Sequence, residues 1–264
     1  MFSPFYIKIF TDLIRSIPRD KRGSSDSKTP EHYLSKIFYV LKNGISWSQL
    51  VLHKDDLHFT SYYKKFIQYR NHNIFRDAYY IIIKLLQKNK ILNPKALKNL
   101  YIDASLTKNI YGVDNTGSNY YDRNRSSNKI SVVVTSTGIP IGIKVAPGNV
   151  SDIKMAMDTV DDINIKIVGS RLIADKGYVS SAFTETLKSS KITLITPIKS
   201  NQRNKKPLKE SEKQLLSKRN IVENFFSWLK QCRRIRHRYD SNFTSYLAFI
   251  YLGLIKIIAG KVKL

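Results

Sequence analysis

The sequence predicts an α/β protein in which a mixed β-sheet flanked by helices follows a small all-helical N-terminal region. Two observations support this fold class. Up to about residue 95 the apolar residues recur with a helical period, and from Leu97 onward short alternating runs typical of strands are interleaved with helical segments. We therefore expect a helical region at 1–95 and an α/β domain at 96–264, together large enough to bury a substantial core.

Three helices are predicted in the N-terminal region. In residues 33–41 apolar side chains stand at i, i+3, i+4, i+7 and i+8, and Gly44 follows as a plausible C-cap. A second helix is expected at about 60–68, and a third at 74–86 that is apolar on most sides and therefore buried. Together the three helices resemble a helix-turn-helix-like module, so this region is a candidate DNA-binding part of the chain.

The α/β domain is predicted from a change of period. Residues 100–103 alternate, and residues 129–136 and 139–145 indicate a hairpin with its turn at Thr137 and Gly138. The order after the hairpin is helix, strand, helix, strand, with the elements expected from Asp152, at 171–174, from Ser180 and at 192–196.

Charge indicates a polyanionic partner. Lys and Arg number 45 against 20 Asp and Glu, which gives a net charge of +25 and a pI of about 10. Nucleic acid is the leading candidate, but charge alone does not distinguish an enzyme from a purely structural binder. The single cysteine, Cys232, excludes an intramolecular disulfide and a thiolate zinc cluster and favours a reducing compartment. The apolar stretch at 246–260 contains Lys256 and is too short for a bilayer, so we expect a core helix and no membrane contact.

Two aspartates stand where apolar strands are expected to end. Asp103 follows the run Leu100 to Ile102, and Asp175 follows the run Leu172 to Ala174. Two carboxylates held close together in one sheet repel each other unless a cation or a proton intervenes. The alternative is that each aspartate only caps a turn. Asp152 is also expected to cap its helix rather than to act as a further metal ligand.

A predicted helix at 218–230 carries the third acidic candidate. Arg219, Glu223 and Lys230 stand at i, i+4 and i+11 and so share a face. The opposite face is expected to be an apolar stripe formed by Ile221, Phe225, Trp228, Leu229 and Cys232. The alternative is an ordinary solvated face with a weak Arg-to-Glu pair.

Several segments, in this order and spacing, resemble insertion-sequence transposases of the IS4 and IS5 type. They are Tyr101-Ile-Asp103-Ala-Ser, Tyr111-Gly-Val-Asp, Arg125-Ser-Ser-Asn-Lys129, Gly138-Ile-Pro140, Pro147-Gly-Asn-Val-Ser-Asp152, Ala174-Asp175-Lys-Gly-Tyr178 and the helix at 219–230. The Gly44-Ile-Ser-Trp47 segment is similar to the helical region that precedes the catalytic core in that family. The family's signature around its third acid matches at Arg219, Glu223 and Lys230, whereas its tyrosine position is Leu216 here.

The resemblance implies a ribonuclease-H-like catalytic domain and a DDE triad of Asp103, Asp175 and Glu223. These acids would bind two Mg²⁺ ions, for which Mn²⁺ could substitute, and the enzyme would cut and rejoin DNA at the ends of its own element. The basic candidates for phosphate contact are Arg219, Lys230, Arg233, Arg234, Arg236 and Arg238.

The expected partners are double-stranded DNA, as terminal inverted repeats and target, and a second copy of the chain in an active homodimer. The expected location is the bacterial cytoplasm at the nucleoid, or the nucleus or a viral factory in another host. Two alternatives stay open: a ribonuclease-H-like nuclease that cuts without joining, and a transposon-derived protein that only binds DNA.

Overall fold

The computed structural model describes residues 3–18, 26–120, 123–198 and 207–262. Its chain divides into two units. The first comprises Met1–Ile82, Asn109–Asp114 and Leu229–Leu264, and the second comprises Ile83–Lys108 and Asn115–Trp228.

The helices, in chain order, are α1 (Pro4–Arg15), α2 (Pro30–Asn43), α3 (Phe59–Asn71), α4 (Ile74–Lys88), α5 (Pro94–Leu97), α6 (Asp152–Asp161), α7 (Ser181–Ser189), α8 (Glu210–Leu216), α9 (Asn220–Lys230), α10 (Arg233–Arg236) and α11 (Phe243–Lys261). The strands are β1 (Asn99–Asn109), β2 (Gly117–Asn119), β3 (Arg125–Thr135), β4 (Pro140–Pro147), β5 (Arg171–Ile173), β6 (Thr193–Ile195) and β7 (His237–Arg238).

Helix α2 shows how local sequence determines the first unit. The Thr29 side chain accepts a hydrogen bond from the backbone N–H of His32 at 3.3 Å, and Pro30 occupies the first turn, where its missing N–H is not needed. The helix ends at Gly44, whose φ of 69° lies in the left-handed region that favours glycine. The helix and its cap were both predicted, and α3 and α4 also lie where helices were expected.

Helix α11 provides much of the core of the first unit. By length and composition α11 could cross a membrane, but 67 % of its 18-residue apolar stretch is buried inside the structure. This burial favours a core helix. Its Phe249 ring stacks on Phe66 of α3 at 4.6 Å, and Trp47 lies 5.3 Å from the same Phe66 ring. These offset aromatic contacts connect three segments that are distant in the sequence.

In the part of the second unit that the structure describes, six strands form one mixed sheet. Strands β4, β3 and β1 are antiparallel neighbours, and β1, β5 and β6 continue the sheet as parallel neighbours. The short strand β2 pairs with the start of β3. This strand order is the ribonuclease-H-like arrangement, so the predicted fold class and the predicted hairpin, now β3 and β4, are confirmed.

Helix α6 packs on β3 and β4. The Thr159 hydroxyl donates to Ser131 Oγ at 2.8 Å, and a Cβ at Gly142 would lie only 2.6 Å from the Thr159 carbonyl oxygen, so the close approach requires glycine there. The cap of α6 is Ser151, whose Oγ accepts from the Lys154 N–H at 3.4 Å. The expectation that Asp152 caps this helix was wrong, because Asp152 is its first helical residue and pairs with a lysine instead.

Candidate active site

The register of two parallel strands brings Asp103 and Asp175 together. Tyr101 of β1 is paired with Ile173 of β5, and each aspartate follows its member of that pair by two residues. Because side chains alternate along a strand, the two carboxylates project to the same side. The sequence predicted that Asp103 ends a strand, but Asp103 lies inside β1, which continues to Asn109. It stands just beyond the point where β5 stops pairing with β1.

Arg219 lies between the two carboxylates. Its Nη1 is 3.4 Å from Asp175 Oδ1, and its Nη2 is 3.8 Å from Asp103 Oδ2. The Asp103 and Arg219 side chains are 25 % and 21 % exposed, whereas Asp175 is 44 % exposed. A guanidinium with two separate donor nitrogens is well suited to two carboxylates. The arginine therefore provides the positive charge that two adjacent carboxylates need.

Each aspartate is also oriented by a local backbone hydrogen bond. Asp103 Oδ1 accepts from the Ala104 N–H at 2.8 Å, and Asp175 Oδ1 accepts from the Lys176 N–H at 2.7 Å. Burial raises the pKa of Asp103, the Ala104 bond and Arg219 oppose that rise, and the negative charge of Asp175 adds to it. The site therefore holds a carboxylate that is partly desolvated and strained by a like charge.

Three further residues surround this pair. Tyr178 ends the short helical turn that begins after Asp175, and its side chain is buried. Burial raises the pKa of Tyr178, and the negative charges of Asp103 and Asp152 raise it further. Asp152 is held by Lys129, whose Nζ donates to Asp152 Oδ1 at 2.8 Å and also to a backbone carbonyl at the same distance. The motifs contained these residues, but no periodicity indicated that they surround the acids.

Glu223 is exposed on α9, one turn beyond Arg219. Among the described residues no group of three His, Cys, Asp or Glu side chains is positioned to hold a metal ion, so Asp103 and Asp175 are brought together without Glu223. The predicted apolar stripe of α9 also needs correction. Trp228 is 39 % exposed, because the buried positions are Val222, Phe225, Phe226 and Leu229.

The predicted phosphate-binding residues fall into two groups. Arg233 and Arg236 are exposed, and Lys230 is half-buried, with a pKa lowered by burial and by the charge of Arg236. Arg234 and Arg238 are buried. Arg234 Nε and Nη2 donate to Asp240 at 3.0 and 2.9 Å.

The Arg238 side chain is fully buried. Its Nη1 and Nε donate to the backbone carbonyls of Asp114 at 2.7 Å and Asp240 at 2.9 Å, and its Nη2 is paired with the Asp114 carboxylate. The expectation that Arg234 and Arg238 contact DNA was therefore wrong for this conformation, because their donors face protein acceptors.

The donor set at Asp103 and Asp175 fits a divalent cation. Carboxylate oxygens are the ligands that Mg²⁺ prefers, and both carboxylates already face one shared positive group. The protein is therefore a mixed α/β protein with a pair of adjacent carboxylates whose oxygens suit a divalent cation.

Comparison of the sequence with known protein families gives a more specific indication of the kind of protein. Residues 126–242 match the family model described as Transposase DDE domain. Over 133 residues the chain is 28 % identical to a Brucella ovis protein described as a candidate transposase for insertion sequence element IS6501. The matched stretch covers 49 % of this chain and 95 % of that protein. These findings confirm the resemblance to an insertion-sequence transposase of the DDE type and support a DNA transposase. The narrower IS4 and IS5 assignment stays a prediction.

Solved transposase structures are similar over long stretches but at low identity. A piggyBac transposase synaptic complex with hairpin DNA is 13 % identical with a TM-score of 0.49, covering 98 % of this chain and 73 % of that chain. The catalytic domain of Mos1 mariner transposase is 11 % identical with a TM-score of 0.27, covering 80 % and 97 %. At these TM-scores neither likeness contributes to the assignment.

Proposed function

We propose that this protein is a DNA transposase that cleaves and rejoins phosphodiester bonds at the ends of its own element. The observation that carries the proposal is the pair Asp103 and Asp175, placed side by side by the β1 and β5 register and bridged by a single cationic side chain. Such a pair is costly to maintain without a function that uses its charge.

In this proposal Asp103, Asp175 and Glu223 hold two Mg²⁺ ions. The bound cations would supply activation of the attacking hydroxyl group and stabilisation of charge at the phosphorus and the leaving oxygen. Asp103 and Asp175 provide the preformed part of this ligand set. Glu223, exposed one turn beyond Arg219, would complete it when positive charge offsets the repulsion among three carboxylates.

Cationic side chains would hold the DNA. Arg219, once released from the aspartates, presents a planar fork for the phosphate that undergoes reaction. The exposed Arg233 and Arg236 would contact the backbone of the flanking duplex and carry little sequence information. The net charge of +25 supports a polyanionic substrate. In the joining step the freed 3′-hydroxyl of the element end would replace water as the nucleophile, and no covalent intermediate with the protein is needed.

The test is cleavage and strand transfer on labelled duplexes that carry the inverted repeats flanking the coding sequence, with Mg²⁺, Mn²⁺ or EDTA. We expect 3′-hydroxyl ends and joined products with either metal and none with EDTA. Asp103→Asn, Asp175→Asn and Glu223→Gln should each lower the rate by about a thousandfold or more while DNA binding persists. Glu185→Gln, an exposed helical glutamate on α7, is the matched control and should retain the wild-type rate.

Each alternative has its own outcome. Metal-dependent cutting without joined products would support a nuclease. Binding without cutting in either metal would support a DNA-binding derivative, and the catalytic assignment would then fail. Full activity of Glu223→Gln would remove that residue from the proposed ligand set and leave the two aspartates as the acidic site.

A further inference from the structure

Within the part of the second unit that the structure describes, two buried donor atoms have no hydrogen-bond partner. They are the Tyr178 hydroxyl oxygen and Arg219 Nε, and both are shielded from solvent. Arg219 contacts both the Asp103 and the Asp175 carboxylates, and Tyr178 ends the short helical turn that begins directly after Asp175. Buried polar groups in native proteins are almost always paired, so two unpaired donors in one place require an explanation.

The Tyr178 hydroxyl can act there only as a donor in need of an acceptor. The ordinary pKa of a tyrosine phenol is about 10, so the group keeps its proton at physiological pH. The backbone also positions it, because the Tyr178 N–H donates to the Asp175 carbonyl at 3.0 Å and closes the turn that follows β5. The phenol is therefore connected through a three-residue turn to one of the two aspartates.

We propose that the Tyr178 hydroxyl is a catalytic-site donor that binds a non-bridging oxygen of the scissile phosphodiester, an assignment that rests on the proposed function. The acceptor should be anionic and should come from outside the chain. A metal ion would seek the carboxylate oxygens rather than an O–H or an N–H group, whereas a phosphate oxygen accepts from both. Arg219 Nε is a second unpaired donor among the described residues, on a side chain that contacts both aspartates.

This assignment predicts an unusual combination of effects for Tyr178→Phe. The substitution removes a hydroxyl that has no partner among the described residues, so the melting temperature should stay within about 2 °C of wild type. Single-turnover cleavage of the repeat duplex in Mg²⁺ should fall roughly 10- to 100-fold, as for other donors aimed at developing charge. Affinity for the same duplex in EDTA should change by less than about threefold, because most of the binding comes from the flanking backbone.

Tyr69→Phe is the matched control. Tyr69 in α3 is also fully buried, and its hydroxyl likewise has no hydrogen-bond partner among the described residues. The same single-atom deletion there should leave both the melting temperature and the cleavage rate unchanged. The pair of variants separates the loss of a buried phenol hydroxyl in general from the loss of the one beside the aspartates.

Phosphorothioate substrates locate the acceptor. Sulfur in place of one non-bridging oxygen is a weaker acceptor, so one diastereomer should slow the wild type and slow Tyr178→Phe by a smaller factor. Three results would overturn the assignment: wild-type cleavage by Tyr178→Phe, an equal thio effect in both proteins on both diastereomers, or a large loss of stability in the variant. A wild type that cleaves nothing would instead refute the proposed function on which the assignment rests.

Discussion

Replacement of Arg234 by methionine should destabilise the protein strongly and leave its DNA contacts intact. The Arg234 and Asp240 side chains are each 7 % exposed and form a two-pronged ion pair with N–O distances of 2.9 and 3.0 Å. The third donor, Nη1, reaches the Ile45 carbonyl at 2.9 Å, and the guanidinium lies over the Tyr239 and Phe249 rings. The variant keeps an apolar stem but leaves a buried carboxylate without its partner.

The magnitude follows from that unpaired charge. Breaking one side of a buried ion pair typically costs about 3 to 5 kcal/mol, which corresponds to a decrease in melting temperature of roughly 6 to 20 °C for a chain of this size. Urea denaturation and thermal unfolding measure the loss directly. Adding Asp240→Leu should recover a large part of it, because no buried charge then remains unpaired.

The exposed Arg236 provides the comparison. Arg236→Met should change the free energy of unfolding by less than about 0.5 kcal/mol. Its DNA affinity should fall, and the slope of log affinity against log salt should decrease by about 0.9, as for one lost phosphate contact. The opposite pattern would refute this division of roles: a stable Arg234→Met protein with weakened, less salt-dependent DNA binding would mean that Arg234 leaves Asp240 to contact phosphate.

Two further variants test other ion pairs. Arg219→Gln should lower the melting temperature in EDTA by a few degrees, which corresponds to a loss of about 1 kcal/mol after allowance for the exposure of Asp175. Added Mg²⁺ should restore the melting temperature, because a bound cation replaces the lost positive charge. A melting temperature that does not recover with Mg²⁺ would contradict a cation site at Asp103 and Asp175. For Asp56, burial raises the pKa, but hydrogen bonds from the His53 N–H and Lys36 outweigh it and hold the pKa well below the usual value. The stabilisation should therefore be complete above pH of about 4 and be lost as the pH falls toward the lowered pKa. Urea denaturation at each pH should show that the stability difference between wild type and Asp56→Asn shrinks below that pH. A difference that does not change with pH would contradict the lowered pKa of Asp56.

Elements with a local cause could be predicted from the sequence. Helix α2 was predictable because its apolar period and the C-capping Gly44 are properties of consecutive residues. The β3 and β4 hairpin was predictable because its alternating strands flank a short turn. Asp103 and Asp175 were recognisable as candidates because a charged residue directly after an apolar run is unusual.

Errors arose where a side chain's environment depends on distant residues. The basic run after Lys230 gives no sign that Arg234 and Arg238 are buried, because their acceptors include the Ile45 carbonyl and Asp114, which only the folded chain brings near. The sequence predicted Ile221 and Trp228 in the buried stripe of α9, but the structure buries Val222 and Phe226 beside the correctly predicted Phe225 and Leu229. A helical period leaves the edge of a buried face undetermined.

The sequence by itself determined the α/β class and the order of the elements, and it predicted a polyanionic partner and the acidic candidates, because period, composition and motif spacing are local or additive properties. Only the tertiary structure decided that the β1 and β5 register places Asp103 beside Asp175 and that Arg219 bridges them. It also decided that the Tyr178 hydroxyl is buried with no hydrogen-bond partner among the residues that the structure describes. These properties depend on which distant atoms become neighbours, and strand register and desolvation are set only when the core packs.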